Sequence, residues 1–406
     1  MVEGVKVISM ASEKLPFRSP EMNFQFIRAL THPFGGAEFG ECFYAAEHTN
    51  DGDPESWVRA WSEVAARVEG WAEEALAQGR RFSARNNFLR ASNYYRAAEF
   101  YAPWNTPQHQ ELWEKSKSCF QRAAPLFEPP IEVLEIPFEG RKLPGYFLTT
   151  SGGGKRPTLI VMGGYDSTGE ELYFFIGAAA QQRGYNALIF EGPGQRGVLH
   201  ADSSLVFRPD YEKPVGAVVD YSLSRPEIDG KRLALIGFSF GGYLAPRAAA
   251  FEKRIRALIA NAPIVNFRRL VLGALPFPIE KFSPSELNEL IQGVAGKNPM
   301  FRATVENFLR PMGASTPWEF FERIEKFTIE GLEGRIECPT LSLVSVGEGE
   351  EAVKQAREFH ERLLCPKTLR VFTAKEGADG HCQVNNRSLM YQVIFDWLDD
   401  VFKKVR

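Results

Sequence analysis

The chain has 406 residues, is 44% hydrophobic and 24% charged, and carries a formal net charge of -3. That supplies enough apolar material for one large core with a smaller domain beside it, and the nearly balanced, slightly acidic charge gives no footing for a nucleic-acid surface. Five scattered cysteines without CxxC spacing argue against both a disulfide framework and a thiolate metal site.

The start, MVEGVKVISMASEKLPF, has no continuous apolar run, and no stretch reaches the roughly 18 apolar residues of a membrane span. A cytoplasmic protein with no membrane partner is the expectation. Residues up to about 50 are rich in Phe, Pro and Gly and read as an irregular arm. From Pro54 the composition turns to Ala, Glu and Arg. Trp57, Trp61, Val68 and Trp71, then Phe88 and Tyr95, recur at helical spacing. Gly79 separates two antiparallel helices, and a third runs from about Pro107 to Ala123. Residues 1-128 are therefore expected to form an arm and a helical cap domain.

After Pro130 the period changes. IEVLEIPFEGRKLPGYFLTT reads as paired extended segments around Gly140. Short apolar strands follow at 158-162, 185-190, 233-236, 255-260, 341-346 and 368-373, alternating with helical stretches. The pattern predicts an α/β fold with a mostly parallel sheet covered on both faces, in a domain spanning 129-406. Residues from about 264 to 335 break the rhythm with prolines, aromatics and amphipathic helices, as a helical lid insertion would.

Ser239 lies in GFSFG, residues 237-241, after the strand LALI and before the small-residue run GYLAPRAAA. A serine on a sharp strand-to-helix turn needs glycines around it, and the helix start favours negative charge nearby. This context predicts a nucleophile. In this strand-serine-helix arrangement the base follows the serine. Of six histidines, His360 sits on a polar helix and His32, His48, His109 and His200 come too early; His381, in the loop KEGADGHCQVNN, remains. The acid is expected after the strand LSLVSV, where the chain offers Glu348, Glu350 and Glu351 but no aspartate. Glu350 is preferred because a turn at Gly347-Gly349 sets it at a helix entrance, with Glu348 the rival; Asp379 is expected to fix the histidine loop.

An oxyanion hole needs two backbone donors. Phe240 N-H is one, and Gly164 or Tyr165, in the loop VMGGYDSTGEE, the other. FEGPGQRG (190-197) is read as shaping the same rim. Arg208 either holds an anionic or phenolic oxygen of the substrate or pairs with Asp210. No zinc spacing and no phosphate-binding loop is present, so no metal and no cofactor is expected.

Together, NFLRASNYYRAAEF, GGYDSTGEE, FEGPGQRG, DYEKPVGAVVDY, the serine elbow and GADGHC resemble a branch of the α/β-hydrolases. It comprises carbon-carbon bond hydrolases with an N-terminal helical domain, such as 2,6-dihydroxypseudooxynicotine hydrolase, and the fungal yellowish-green-type hydrolases that shorten polyketides. The resemblance implies an acyl-enzyme mechanism on a β-diketone, aryl ketone or polyketide, in secondary metabolism. It places Ser239 and His381 on the family's nucleophile and base. The family's acid is usually aspartate, and VGEGEE departs from it in residue and local length. An ester or lactone hydrolase or acyltransferase uses the same triad, and a non-hydrolytic cyclase or ligand-binding protein uses the same fold. Tyr94, Tyr95 and Phe100 of the helical domain and Phe277 of the insertion are the candidate aromatics for a substrate cleft between the domains; most are expected to be interdomain core and at least one to contact the substrate. The partner is a small ketonic molecule, and homodimerisation is left open.

Overall fold

The computed structural model describes residues 15-275 and 277-403; the start of the chain, with its expected lack of a continuous apolar run, lies outside them. Two compact units are present. One comprises 133-283 and the described residues from 309 onward. The other comprises the described residues up to 132 together with 284-308.

The first unit is built on eight strands, β1 (Glu132–Phe138), β2 (Arg141–Leu148), β3 (Arg156–Met162), β4 (Asn186–Phe190), β5 (Ile228–Phe238), β6 (Ala257–Asn261), β7 (Thr340–Ser345) and β8 (Lys367–Phe372). They pair in the order β1-β2-β4-β3-β5-β6-β7-β8. β2 runs antiparallel to β4, and every pairing from β4 to β8 is parallel. The central strands are apolar throughout because both faces are covered: all five residues of β4 and β6 and all six of β7 are buried. β1, at an edge, alternates instead, with Leu134, Ile136 and Phe138 turned inward. Parallel pairing carries the C-terminal ends of β3, β5, β6 and β7 to one rim, where the chain turns out of the sheet.

In the second unit, Pro54–Ala77, Arg81–Glu99 and Pro107–Ala123 are helices, as their spacing predicts. Trp57 and Trp61 are fully buried, their rings 5.2 Å apart, and Trp57 Nε1 donates to Ala97 O at 2.8 Å. Trp71 lies at the margin of this stripe and is 45% exposed, so it does not belong to the core its spacing suggests.

For the described residues 15-50 the reading as an irregular arm is corrected. Pro20–Leu30 and Phe39–Glu47 are helices. The first has a local cause: Pro20 pre-sets the first turn and Ser19 Oγ accepts from Met22 N-H, while Met22, Phe26 and Ile27 bury one face. The expected insertion contains the helices Phe267–Ala274, Pro284–Lys297, Pro299–Leu309 and Pro317–Ile324, but it does not behave as one body. Its middle, 284-308, groups with the N-terminal helices, while its flanks group with the sheet. Asn307 shows why: its Oδ1 accepts from Trp104 Nε1 at 2.9 Å and its Nδ2 donates to Phe100 O at 3.3 Å.

Candidate active site

β5 ends at Phe238, and the helix Gly241–Ala249 begins three residues later. Ser239, between them, has φ +57°, a left-handed conformation that a non-glycine residue adopts only when its surroundings hold it there. Here Ser239 N-H donates to Asn261 O at 2.6 Å and Ser239 O accepts from Gly242 N-H at 2.7 Å. Gly237 is required by close approach: a Cβ there would lie 2.1 Å from Gly241 O.

The histidine loop reaches the same point. Cys382 Sγ donates to the Asn261 carbonyl at 3.5 Å, so one backbone oxygen gathers the serine turn and the residue after His381. His381 Nδ1 lies 3.0 Å from Glu348 Oε2. Glu348 is therefore the carboxylate against the imidazole, and the preference for Glu350 is corrected: Glu350 is the first residue of the helix Glu350–Arg362. The cause is a one-turn 3-10 helix, Val346–Glu348, closed by a capping box. Ser345 Oγ accepts from Glu348 N-H while Glu348 Oε1 accepts from Ser345 N-H at 3.4 Å and from Cys382 N-H at 3.3 Å. Gly347 N-H donates to Asp379 O at 3.1 Å, tying this turn to the histidine loop. S-V-G-E spells the capping-box pattern, a signal in the sequence that marks position 348. Asp379 Oδ1 accepts from Asn385 Nδ2 at 3.0 Å, a duty inside its own loop.

Burial disfavours the charged imidazole of His381, but the neighbouring Cys382 and the Glu348 carboxylate, together with their hydrogen bonds, outweigh burial and raise its pKa well above the ordinary value. Among the described residues, Glu348, His381 and Cys382 place their ligand-type atoms within 4.8 Å of one another. The carboxylate is engaged with Nδ1, as an orienting acid would be.

A buried amide network that no motif in the sequence marks underlies these loops. Asn261 Nδ2 donates to Gln383 Oε1 at 2.8 Å, and Gln383 Nε2 donates to Ser345 Oγ at 2.9 Å. Ser345 Oγ in turn donates to Ala378 O at 2.9 Å. All three residues are fully buried, and they sit at the ends of β6 and β7 and in the histidine loop.

The loop after β3 runs alongside the elbow. A Cβ on Gly164 would lie 2.6 Å from Ser239 Cβ and 3.1 Å from Phe240 N, an approach that only glycine allows. Of the two residues expected to supply the second oxyanion donor, Gly164 has its N-H engaged by Ser167 Oγ at 3.0 Å. Thr168, whose Oγ1 accepts from Glu171 N-H, caps the helix that follows. Rings of this unit crowd the turn: Phe240 lies 4.5 Å from Phe267, 4.9 Å from Phe207 and 5.4 Å from Tyr165. Burial raises the Tyr165 hydroxyl well above its usual range, so it stays protonated.

The expected substrate contacts fare differently. Arg208 is clamped by Asp210, Nε to Oδ1 at 2.6 Å and Nη2 to Oδ2 at 2.9 Å, and its Nη1 donates to Glu139 at 2.8 Å. Tyr94 and Tyr95 are buried among the helices of the second unit, where their hydroxyls donate to Glu41 and Glu69, both at 2.6 Å. Phe100 is buried there too, edge-on to Tyr101, and Phe277 packs against Phe282. None of the described helices is long and apolar enough to cross a membrane.

A family profile described as "Esterase FrsA-like" matches residues 52-270. The hydrolase LUC6 of a Fusarium species is 33% identical over 411 residues, covering 95% of this chain and 97% of that protein. The 20-hydroxy-prefusarin hydrolase FUS2 of Gibberella moniliformis is 32% identical, with the same two coverages. The crystal structure of 2,6-dihydroxy-pseudo-oxynicotine hydrolase superposes with a TM-score of 0.73 at 25% identity, covering 93% of this chain and 95% of that one.

Proposed function

Since the chain belongs to the FrsA-like esterase family of α/β-hydrolases, we propose that it is a serine hydrolase cleaving a carbon-carbon bond of a ketonic or polyketide substrate. The observation that carries the mechanism is that Ser239 N-H and the thiol of Cys382, the residue after His381, bond the same carbonyl of Asn261, while His381 Nδ1 lies against Glu348. The whole-chain likeness to 2,6-dihydroxy-pseudo-oxynicotine hydrolase and 20-hydroxy-prefusarin hydrolase supports the substrate class.

In this mechanism His381 Nε2 takes the Ser239 proton as Oγ adds to a ketone carbonyl. Glu348 holds Nδ1-H, which fixes the tautomer and stabilises the imidazolium. The N-H groups of Phe240 and Tyr165 receive the oxyanion, and the start of the helix Gly241–Ala249 adds positive potential. The tetrahedral adduct then breaks its carbon-carbon bond, the electron pair leaving with the activated carbon. That carbanion must be stabilised by its own conjugation to a carbonyl or an electron-poor ring; His381 returns the proton to it. Water, activated by the same histidine, releases the acyl group as an acid. An ester would pass through the same steps with an alkoxide leaving, so the products separate the two activities.

The test has two parts. Ser239→Ala should abolish covalent labelling by a fluorophosphonate and reduce turnover by at least about a thousandfold while leaving the thermal transition in place. Product masses from aryl β-diketones should show a carboxylic acid plus a ketone, with one water gained in total. Turnover retained in the alanine variant overturns the acyl-enzyme mechanism. Hydrolysis confined to ester analogues overturns the carbon-carbon assignment alone.

A further inference from the structure

The geometry points to Gln195 as a positioning residue for the oxyanion donor of Tyr165, an inference that rests on the mechanism proposed above. Gln195 belongs to the turn after β4, in the stretch FEGPGQRG, and is fully buried. Both ends of its amide are engaged. Oε1 accepts from Gly192 N-H at 2.7 Å, which closes its own turn, and Nε2 donates to the carbonyl of Gly164 at 3.3 Å, in the loop after β3. The partners leave no choice of amide orientation: an N-H requires the oxygen and a carbonyl requires the NH2.

The second bond matters because of peptide planarity. The Gly164 carbonyl and the Tyr165 N-H belong to one trans peptide and point in opposite directions. Holding the carbonyl toward Gln195 therefore turns the Tyr165 N-H away from Gln195. On its other side Gly164 is held by the bond from its own N-H to Ser167 Oγ. The residue so pinned is a glycine, whose backbone would otherwise rotate with little penalty, and it lies against Ser239 Cβ and Phe240 N. A rotated peptide would present a carbonyl oxygen to the developing oxyanion in place of a donor. Gln195 touches none of the reacting atoms, and its effect passes through one peptide plane.

Gln195→Glu dissects the two bonds. Ionised, the carboxylate still accepts from Gly192 N-H but cannot donate to Gly164 O and repels it, so the kinetics are read above about pH 9, where a carboxyl raised by burial is charged. Gln195→Met fills a similar volume and makes neither bond. The probe is a fluorophosphonate, whose saturation kinetics separate KI from the rate constant of phosphonylation, with mass spectrometry counting labelled sites at completion. Expected for Gln195→Glu is a fall of about 10- to 100-fold in the rate constant per labelled site, with KI within about threefold of the parent. Gln195→Met should fall in the same parameter by a smaller factor, and neither variant should move the pH midpoint for His381. A purely structural role gives fewer labelled sites reacting at the parent rate, and that result overturns the proposal, as does a loss confined to KI. Ser239→Ala is the control: labelling that persists in it overturns the acyl-enzyme reading itself, independently of Gln195.

Discussion

Ser239 is held with φ +57° and His381 is paired through Nδ1 with Glu348, so two residues 142 positions apart in the sequence depend on arrangements made by their immediate neighbours. Both candidates can be named from the sequence, one from the glycines around a turn and the other by elimination among six histidines. The acid is not legible by the same route. Whether residue 348 or 350 faces the ring is decided by a three-residue turn and by the Gly347-Asp379 bond from another loop. Glu348→Gln is expected to lower kcat by about 10² to 10⁴, whereas Glu350→Gln stays close to the parent; parallel steady-state assays check this. The raised pKa of His381 adds a pH signature. The base must be deprotonated, so kcat/KM should rise with pH through a midpoint on the alkaline side of 6.5. Removing the carboxylate charge destabilises the imidazolium and should move that midpoint to lower pH.

At the scale of elements, strand type and order follow from apolar runs bounded by turns, and the observed strands fall where those runs are. The buried amides at the strand ends are invisible to such a reading, because Asn261, Ser345 and Gln383 look like ordinary loop residues until the fold brings them together. Gln383→Leu would leave Asn261 Nδ2 without the Gln383 oxygen, and a buried donor left this way destabilises by roughly 1-3 kcal/mol. The expected result is a lowered denaturation midpoint with an unchanged m-value, measured in urea. The helices of the second unit show the opposite limit. Spacing marks Tyr94 and Tyr95 as inward-facing but does not say whether a ring faces a core or a ligand; their bonds to Glu41 and Glu69 answer for the core. The helices within 20-47 were hidden by a composition rich in Phe, Pro and Gly, although Ser19 and Pro20 mark a helix start.

For the whole molecule, the change of period near residue 129 marks where helices give way to strands, but the membership of 284-308 could not be read from it. Nothing in an amphipathic pattern names the helix it will pack on. Asn307 and Trp104, 203 positions apart, are joined by a hydrogen bond within one unit. Replacing 284-308 with a short Gly-Ser linker should therefore lower the thermal transition in a tryptophan-fluorescence melt, to which Trp57, Trp61, Trp71, Trp104 and Trp113 of the helical unit contribute. The interleaving also sets a timetable. A chain leaving the ribosome delivers its N-terminal helices first, then β1 to β6, and only afterwards the segment that completes the helical unit. The surface around Phe100 and Trp104 stays open to solvent over that interval, so the first unit begun is not the first one finished, and domain-by-domain maturation from the N-terminus is closed to this protein.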